Sequence, residues 1–484
     1  MKTLYDKLVN YSESDFYGFH MPGDKRNQDL VRADLPYRID ITEIDGFDNL
    51  HHASGILKDA QIRAAKLYQA ETTCFLVNGS TGGILSAILG STCKGDKVLM
   101  ARNCHKSVYH AIFLNELHPV YVYPKYDAEL ELNGEICLSD VEQILMEEPD
   151  IKAVILTSPT YDGVLSDVEA IVNAAHTFHI PVILDEAHGA HFGFHSYFPE
   201  NANTKGVDVV IHSLHKTLPA LTQTALIHMN GKLIDRRQIH KYLSMFQTSS
   251  PSYVLMSSID VCIEMLETRG REVFREYTQM LDEVRRKLSG LRFLQLIETE
   301  HYDRSKIVIS VKNTNYTSKQ LYNELLDKYH LQMEMAAGSY ILAMTSIGDT
   351  REGMDRLVQA LCEIDQRIAD DPGLQRKERE KNFCKLSSLP KLEVVFTSAE
   401  MVHRVDEALV NGEKSMNTRV LPWEKCVGYI STEYVYLYPP GIPIVVPGER
   451  FSQEVVDILK RYRELKFSIE GPESENAVEV WING

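Results

Sequence analysis

Val182-Ile183-Leu184-Asp185-Glu186-Ala187-His188 decides how this chain is read, together with Ser213-Leu214-His215-Lys216, whose lysine stands 31 positions after Asp185. The run Ile180 to Leu184 is apolar, short and rich in branched residues, so it reads as a buried strand. Asp185 then sits at the end of that strand, where a carboxylate in low dielectric calls for a cationic partner. Lys216 follows a second apolar stretch, Val207 to His212, and reaches the corresponding end of its own strand. The plain alternatives are an aspartate that caps a turn and a surface lysine. Neither explains why both follow buried strands in one chain.

Outward from these two segments the pattern is regular. Cys74 to Val77, Lys97 to Met100, Val120 to Tyr123, Ala153 to Thr157, Pro181 to Leu184, Val207 to His212 and Ala225 to Met229 are expected strands. Gly82 to Leu89, Ser107 to Leu117 and Asp167 to Phe178 are expected helices between them. Strands alternating with helices predict an α/β fold with a mostly parallel sheet covered on both faces. A second rhythm follows, with a helix near Arg271 to Leu288, a strand at Lys306 to Val311 and helices at Ser318 to Lys328 and Arg351 to Ile368. The expected organisation is an arm over 1–45, a large domain over 46–300, a small α/β domain over 301–372 and a C-terminal α+β domain over 389–484. Asp370 to Lys385, charged and containing Pro372-Gly373, reads as an exposed connection.

A chain of 484 residues is long enough for two or three cores. Its formal net charge of -17 disfavours nucleic acid and anionic membrane surfaces as partners and weakly suits a cationic small molecule. Eight cysteines without a C-x-x-C pair give no disulfide framework or zinc ribbon. Met1 to Asn10 carries Lys2, Asp6 and Lys7 and is not a secretory signal, and no apolar stretch approaches the ~20 residues of a membrane span. A soluble, cytoplasmic protein is expected.

Asn78-Gly79-Ser80-Thr81-Gly82-Gly83 follows a strand and opens a helix, so backbone N–H groups and two hydroxyls make a phosphate cradle, or else an ordinary capped turn. His105, after the next strand, either lies flat on a heteroaromatic ring or begins a helix. In an open parallel sheet the loops at the carboxyl ends of the strands converge on one crevice. Gly79 to Thr81, His105, Ser158 to Tyr161, Asp185 to His188 and Ser213 to Lys216 all occupy such ends. A phosphate, a ring, an acid for a ring nitrogen and a lysine for an aldehyde together describe pyridoxal phosphate. Two rivals exist. Asp185-Glu186-Ala187-His188 also resembles a helicase magnesium box, but the G-x-x-x-x-G-K-[ST] loop such an ATPase needs is missing. His188, His191 and His195 have ligand-like spacing, yet Gly189 and Gly193 between them favour a loop over a metal site.

The chain resembles a fold type I (aspartate aminotransferase-like) pyridoxal phosphate enzyme, and specifically the bacterial Orn/Lys/Arg decarboxylase family. The likeness also covers Phe19-His20-Met21-Pro22-Gly23, Leu50-His51-His52, Ala101-Arg102-Asn103-Cys104-His105-Lys106-Ser107, Pro159-Thr160-Tyr161-Asp162-Gly163, Thr248-Ser249-Ser250, Tyr438-Pro439-Pro440-Gly441-Ile442-Pro443 and Pro447-Gly448-Glu449. It implies that Gly79, Ser80, Thr81, Ser213 and His215 surround the phosphate, joined by Thr248 of a second subunit. It further implies His105 on one ring face, Ala187 with His188 on the other, Asp185 at the ring nitrogen, Lys216 on the aldehyde carbon and Glu449 at the distal cation of the substrate. Where relatives show Pro-Gly-His-Lys, this chain has Pro22-Gly23-Asp24-Lys25. It resembles short forms without an extra amino-terminal domain, for which a homodimer or a dimer of dimers with shared sites is expected. The implied reaction is α-decarboxylation of arginine, lysine or ornithine to agmatine, cadaverine or putrescine and carbon dioxide. The cofactor site alone would also serve an aminotransferase or an aldolase-like lyase.

Overall fold

A computed structural model describes residues 3–14, 16, 21–22, 35–375, 389–438, 441–465 and 467–482. Phe19, His20, Gly23, Asp24 and Lys25 of the arm, Pro439-Pro440 and most of the expected connection lie outside them. The chain divides into two compact units, each discontinuous in sequence. One comprises Met1–Ser91, Val168–Gln279 and Ser346–Gly348, the other Thr92–Asp167, Met280–Thr345 and Asp349–Gly484.

The strands that frame the expected site are β1 (Thr72–Leu76), β2 (Lys97–Ala101), β3 (His118–Val122), β4 (Ile151–Thr157), β5 (Val182–Asp185), β6 (Val209–Ser213) and β7 (Ala225–Met229). In the first unit the order is β1-β7-β6-β5. β5 and β6 run parallel, with Asp185 opposite Ile211. β7 is antiparallel to both of its neighbours. The connection 214–224 is too short for a crossover helix, so the chain returns beside β6 instead, because a parallel partner needs a dozen or more residues of crossover. β5, β6 and β7 are buried along their whole length, as strands covered on both faces must be.

The helix Gly79–Ser91 leaves β1 after only two residues, Val77 and Asn78. Gly79 takes φ +69°, which only glycine adopts at no cost. Gly83 lets the helix sink onto the sheet, because a Cβ there would meet Leu76 Cδ1 at 2.5 Å. The sequence-expected strands and helices of this region are observed within a few residues of their forecast ends. The long helix differs. It runs Tyr253–Leu288 rather than from Arg271. Met256, Ile259, Ile263 and Leu266 already mark its buried stripe, and Gly270 interrupts the pattern without breaking the helix.

In the second unit β4-β2-β3 are parallel. A four-stranded antiparallel sheet, Gln295–Ile297, Lys306–Ser310, Tyr340–Met344 and Met335–Ala337, follows with the helices Ser318–Tyr329 and Arg351–Asp370. The C-terminal part adds two three-stranded antiparallel sheets around Trp423, Val445, Phe451, Val455, Leu459 and Val480. Among the described residues no helix is long and apolar enough to cross a membrane.

Candidate active site

The first unit gathers most of the expected residues. Asp185 closes β5, is 6% exposed, and accepts a hydrogen bond from the Ala187 N–H at 3.1 Å. Burial pushes its carboxyl above the usual range, and the Lys216 charge, the Ala187 N–H and His212 offset only part of that. An acid so placed gains from a cation set against it, such as a protonated ring nitrogen. Ala187 and His188 continue the same loop and are buried.

Lys216 lies in the helical turn Leu214–Thr217 directly after β6, half-buried, with Nζ 3.0 Å from His188 Nε2. That contact joins the two loops singled out in the sequence. Beside it Ser213 Oγ donates to Ser80 Oγ at 2.9 Å, tying the end of β6 to the first turn of the helix Gly79–Ser91. The first N–H groups of a helix have no partner within it and favour an anion. His215 Nδ1 donates to the Thr224 carbonyl at 2.9 Å, and burial holds this imidazole below its ordinary pKa. Thr81 is exposed. So is Thr248, whose carbonyl accepts from His51 Nε2 at 2.9 Å. Asn78 Nδ2 donates to the Phe246 carbonyl at 2.7 Å, which holds the Thr248 segment near the helix start.

A buried acid short of cations, a lysine at the neighbouring strand end, and a hydroxyl pair at a helix start fit pyridoxal phosphate. The three histidines of the rival metal reading have separate neighbours. His188 meets Lys216, His191 packs edge-on against Phe192 and Phe198, and His195 Nδ1 accepts from the Tyr197 N–H.

The second unit holds the other two expected residues. His105 follows β2 and caps the helix Lys106–Leu114, its Nδ1 accepting from the Ser107 N–H at 3.2 Å. Capping uses a lone pair in the ring plane, so the ring face stays available for stacking. Glu449 is 1% exposed, Arg102 Nη2 lies 3.2 Å and 3.5 Å from its two oxygens, and the Val446 N–H donates to Oε2 at 2.8 Å. In this structure its polar partners are groups of the chain itself, which gives Glu449 a structural role beside Arg102. Burial raises the Glu449 carboxyl and Arg102 pulls it back.

Arg102 is the residue that sequence reasoning passed over. It is fully buried, donates to the carbonyls of Pro443 and Ile444 and to Tyr109, and so ties the loop before His105 to the C-terminal strand Ile442–Val445. The Lys106 N–H adds a bond to the Gly441 carbonyl at 3.1 Å. An arginine at the end of an apolar strand was the available signal, because such a charge must find a partner.

Comparison with known proteins gives the family. The model for the Orn/Lys/Arg decarboxylase major domain matches residues 2–342, and that for the C-terminal domain of the same family matches 393–475. The chain is 32% identical to arginine decarboxylase of Bacillus subtilis strain 168, over 97% of this chain and 95% of that protein. It is 24% identical to lysine decarboxylase LdcA of Pseudomonas aeruginosa, over 98% of this chain and 78% of the other. Among solved structures, the lysine decarboxylase LdcF of Francisella novicida superimposes with a TM-score of 0.82 at 19% identity, covering 99% of this chain and 80% of that one. The fold is therefore fold type I, the cofactor of the site is pyridoxal phosphate, and the chain belongs to the Orn/Lys/Arg decarboxylase family.

Proposed function

We propose that this enzyme decarboxylates L-arginine, giving agmatine and carbon dioxide. The full-length likeness to an arginine decarboxylase carries the choice of substrate. Lysine is the second reading, supported by the likeness to LdcA at lower identity. An acidic chain also favours approach of a cationic amino acid.

Pyridoxal phosphate, when bound, supplies the sink for the electron pair left by departing carbon dioxide. The chain does the rest. Lys216 would hold the cofactor through its aldehyde carbon. Asp185 keeps the ring nitrogen protonated, because an ionised acid beside it favours the charged form. The helix start at Gly79 with Ser80, Thr81 and Ser213 holds the phosphate. His215, neutral with its Nδ1–H spent on Thr224, donates there from Nε2 once the phosphate charge favours a second proton. Ala187 would meet a face of the ring, and the family resemblance gives His105 a ring-stacking role. Lys216 Nζ and His188 Nε2, 3.0 Å apart, share a proton that returns to the substrate's α-carbon. We infer further a cytoplasmic homodimer or dimer of dimers, with the exposed Thr248 serving the phosphate of a second copy.

The test is release of carbon dioxide from arginine, lysine and ornithine by the purified enzyme with added cofactor. Arginine should give the highest kcat/KM. A higher value for lysine or ornithine overturns the substrate assignment, and no release from any of the three overturns the reaction.

A further inference from the structure

Four buried polar side chains cross the first unit in single file. Glu186 Oε2 lies 2.7 Å from His212 Nε2, His212 Nδ1 3.0 Å from His228 Nε2, and His228 Nδ1 2.7 Å from Thr73 Oγ1. His212 and His228 are 0% exposed and interrupt strands that, apart from the terminal Ser213, are otherwise built of Val, Ile, Leu, Ala and Met. Strand alternation sets the face. Ile211 points at Gly83 of the helix Gly79–Ser91, and Ser213 at Ser80. His212 therefore turns to the opposite face, where the Tyr68 ring lies 4.9 Å from both imidazoles. Thr73 stands opposite His228 in the β1–β7 register.

Counting hydrogens gives this file a direction. Glu186 Oε2 also accepts from the Ala202 N–H at 3.0 Å, and a carboxylate is acceptor-only. His212 thus donates from Nε2, which leaves Nδ1 as an acceptor. His228 donates from its own Nε2 into that acceptor, and its Nδ1 receives the Thr73 hydroxyl. Every link is satisfied with one proton on each ring. Burial, with His212 as the second cause, holds His228 well below the ordinary histidine pKa, in keeping with a neutral ring.

Apolar side chains at these positions would avoid the desolvation that a polar row carries, so the row is not there for burial alone. Two of its members point to its use. Glu186 directly follows Asp185, and His212 directly precedes Ser213 and lies four residues before Lys216. Gly189 is shaped to the same end, because a Cβ there would meet Glu186 Cγ at 2.6 Å and the Phe192 ring at 2.8 Å.

We propose that Glu186, His212, His228 and Thr73 are positioning residues whose one-way hydrogen-bond chain pins the end of β5 to the end of β6 and so sets the placing of Asp185 and Lys216 toward the cofactor. The proposal rests on those two residues holding pyridoxal phosphate. Glu186→Leu removes the terminal acceptor, whereas Glu186→Gln keeps an oxygen for the His212 N–H. Cofactor affinity, measured by equilibrium dialysis, should fall about tenfold or more in Glu186→Leu and largely return in Glu186→Gln, as when a partner behind a binding residue is lost and restored. The pH midpoint of the bound cofactor's visible band should move in the Leu variant and return in the Gln variant. Wild-type affinity and an unmoved midpoint in a folded Glu186→Leu protein overturn the proposal. Should that variant not fold, ¹⁵N-histidine spectra of the cofactor-free wild type decide. Both rings should be Nε2–H tautomers, and an Nδ1–H tautomer at either overturns the chain. Lys216→Ala separates the underlying reading, since a variant that keeps the wild-type visible band sinks the role of Lys216 whatever Glu186 does.

Discussion

At the residue scale, two buried carboxyls make the account measurable. Glu449 neutralises a fully buried arginine, and its partner stands 347 positions earlier in the chain. No sequence pattern of local reach could show that pairing, and the expected place at the substrate came from the family resemblance alone. Glu449→Gln leaves Arg102 buried with its charge unmatched, and such losses cost about 3 to 5 kcal/mol. Urea unfolding should show that loss. Unchanged stability together with a raised KM for the basic substrate would instead restore the substrate-facing role. Asp162 gives a pH signature. Burial pushes its carboxyl up to about 6, with the Tyr340 O–H, donating at 2.6 Å, pulling part of the way back. A group that binds its proton more tightly when folded contributes stability at pH below ~4, its unfolded value, and loses it as pH rises toward its folded value. Asp162→Asn keeps the Tyr340 bond without the titration. Relative to wild type it should therefore gain about 3 kcal/mol between pH 4 and 7.5, the worth of roughly two pKa units. A constant difference across that range would contradict the burial assigned to Asp162.

At the element scale, the strands of the first half were legible because period and length agreed, and the lysine and acid at their ends were legible for the same reason. What was not legible is polar detail inside a buried strand. His212 and His228 look in sequence like flaws in an apolar run, and only the neighbouring strand shows that they complete each other. The long helix was misjudged at its start because Gly270 breaks an otherwise regular stripe. A Cβ at Gly270 would meet only Leu266, at 3.9 Å, which is ordinary contact. Gly270→Ala should thus raise stability by about 1 kcal/mol through helix propensity alone. A lower melting temperature for Gly270→Ala would show that this glycine serves close packing with something beyond the chain. Gly83, by contrast, has Leu76 Cδ1 at 2.5 Å from the added carbon and has no such freedom.

At the scale of the whole molecule, the family models cover both the major and the C-terminal regions, and the full-length relatives share that extent. A second subunit is expected only through the family resemblance, because an exposed threonine such as Thr248 carries no mark of a partner in sequence. If Thr248 serves the phosphate of a second copy, cofactor retention depends on protein concentration, since what binds the assembled form stabilises it by mass action. Sedimentation combined with visible absorbance across a dilution series should show cofactor and dimer lost together. A monomer that keeps the cofactor as tightly as the dimer would remove Thr248 from the site.

The central claim is that Lys216, brought beside His188 and the buried Asp185, holds pyridoxal phosphate. Borohydride reduction of the enzyme with bound cofactor, followed by peptide mapping, tests it most directly. The account predicts the reduced cofactor mass on the peptide that contains Ser213-Leu214-His215-Lys216. The mass on a peptide carrying any other lysine, or on none, would contradict it.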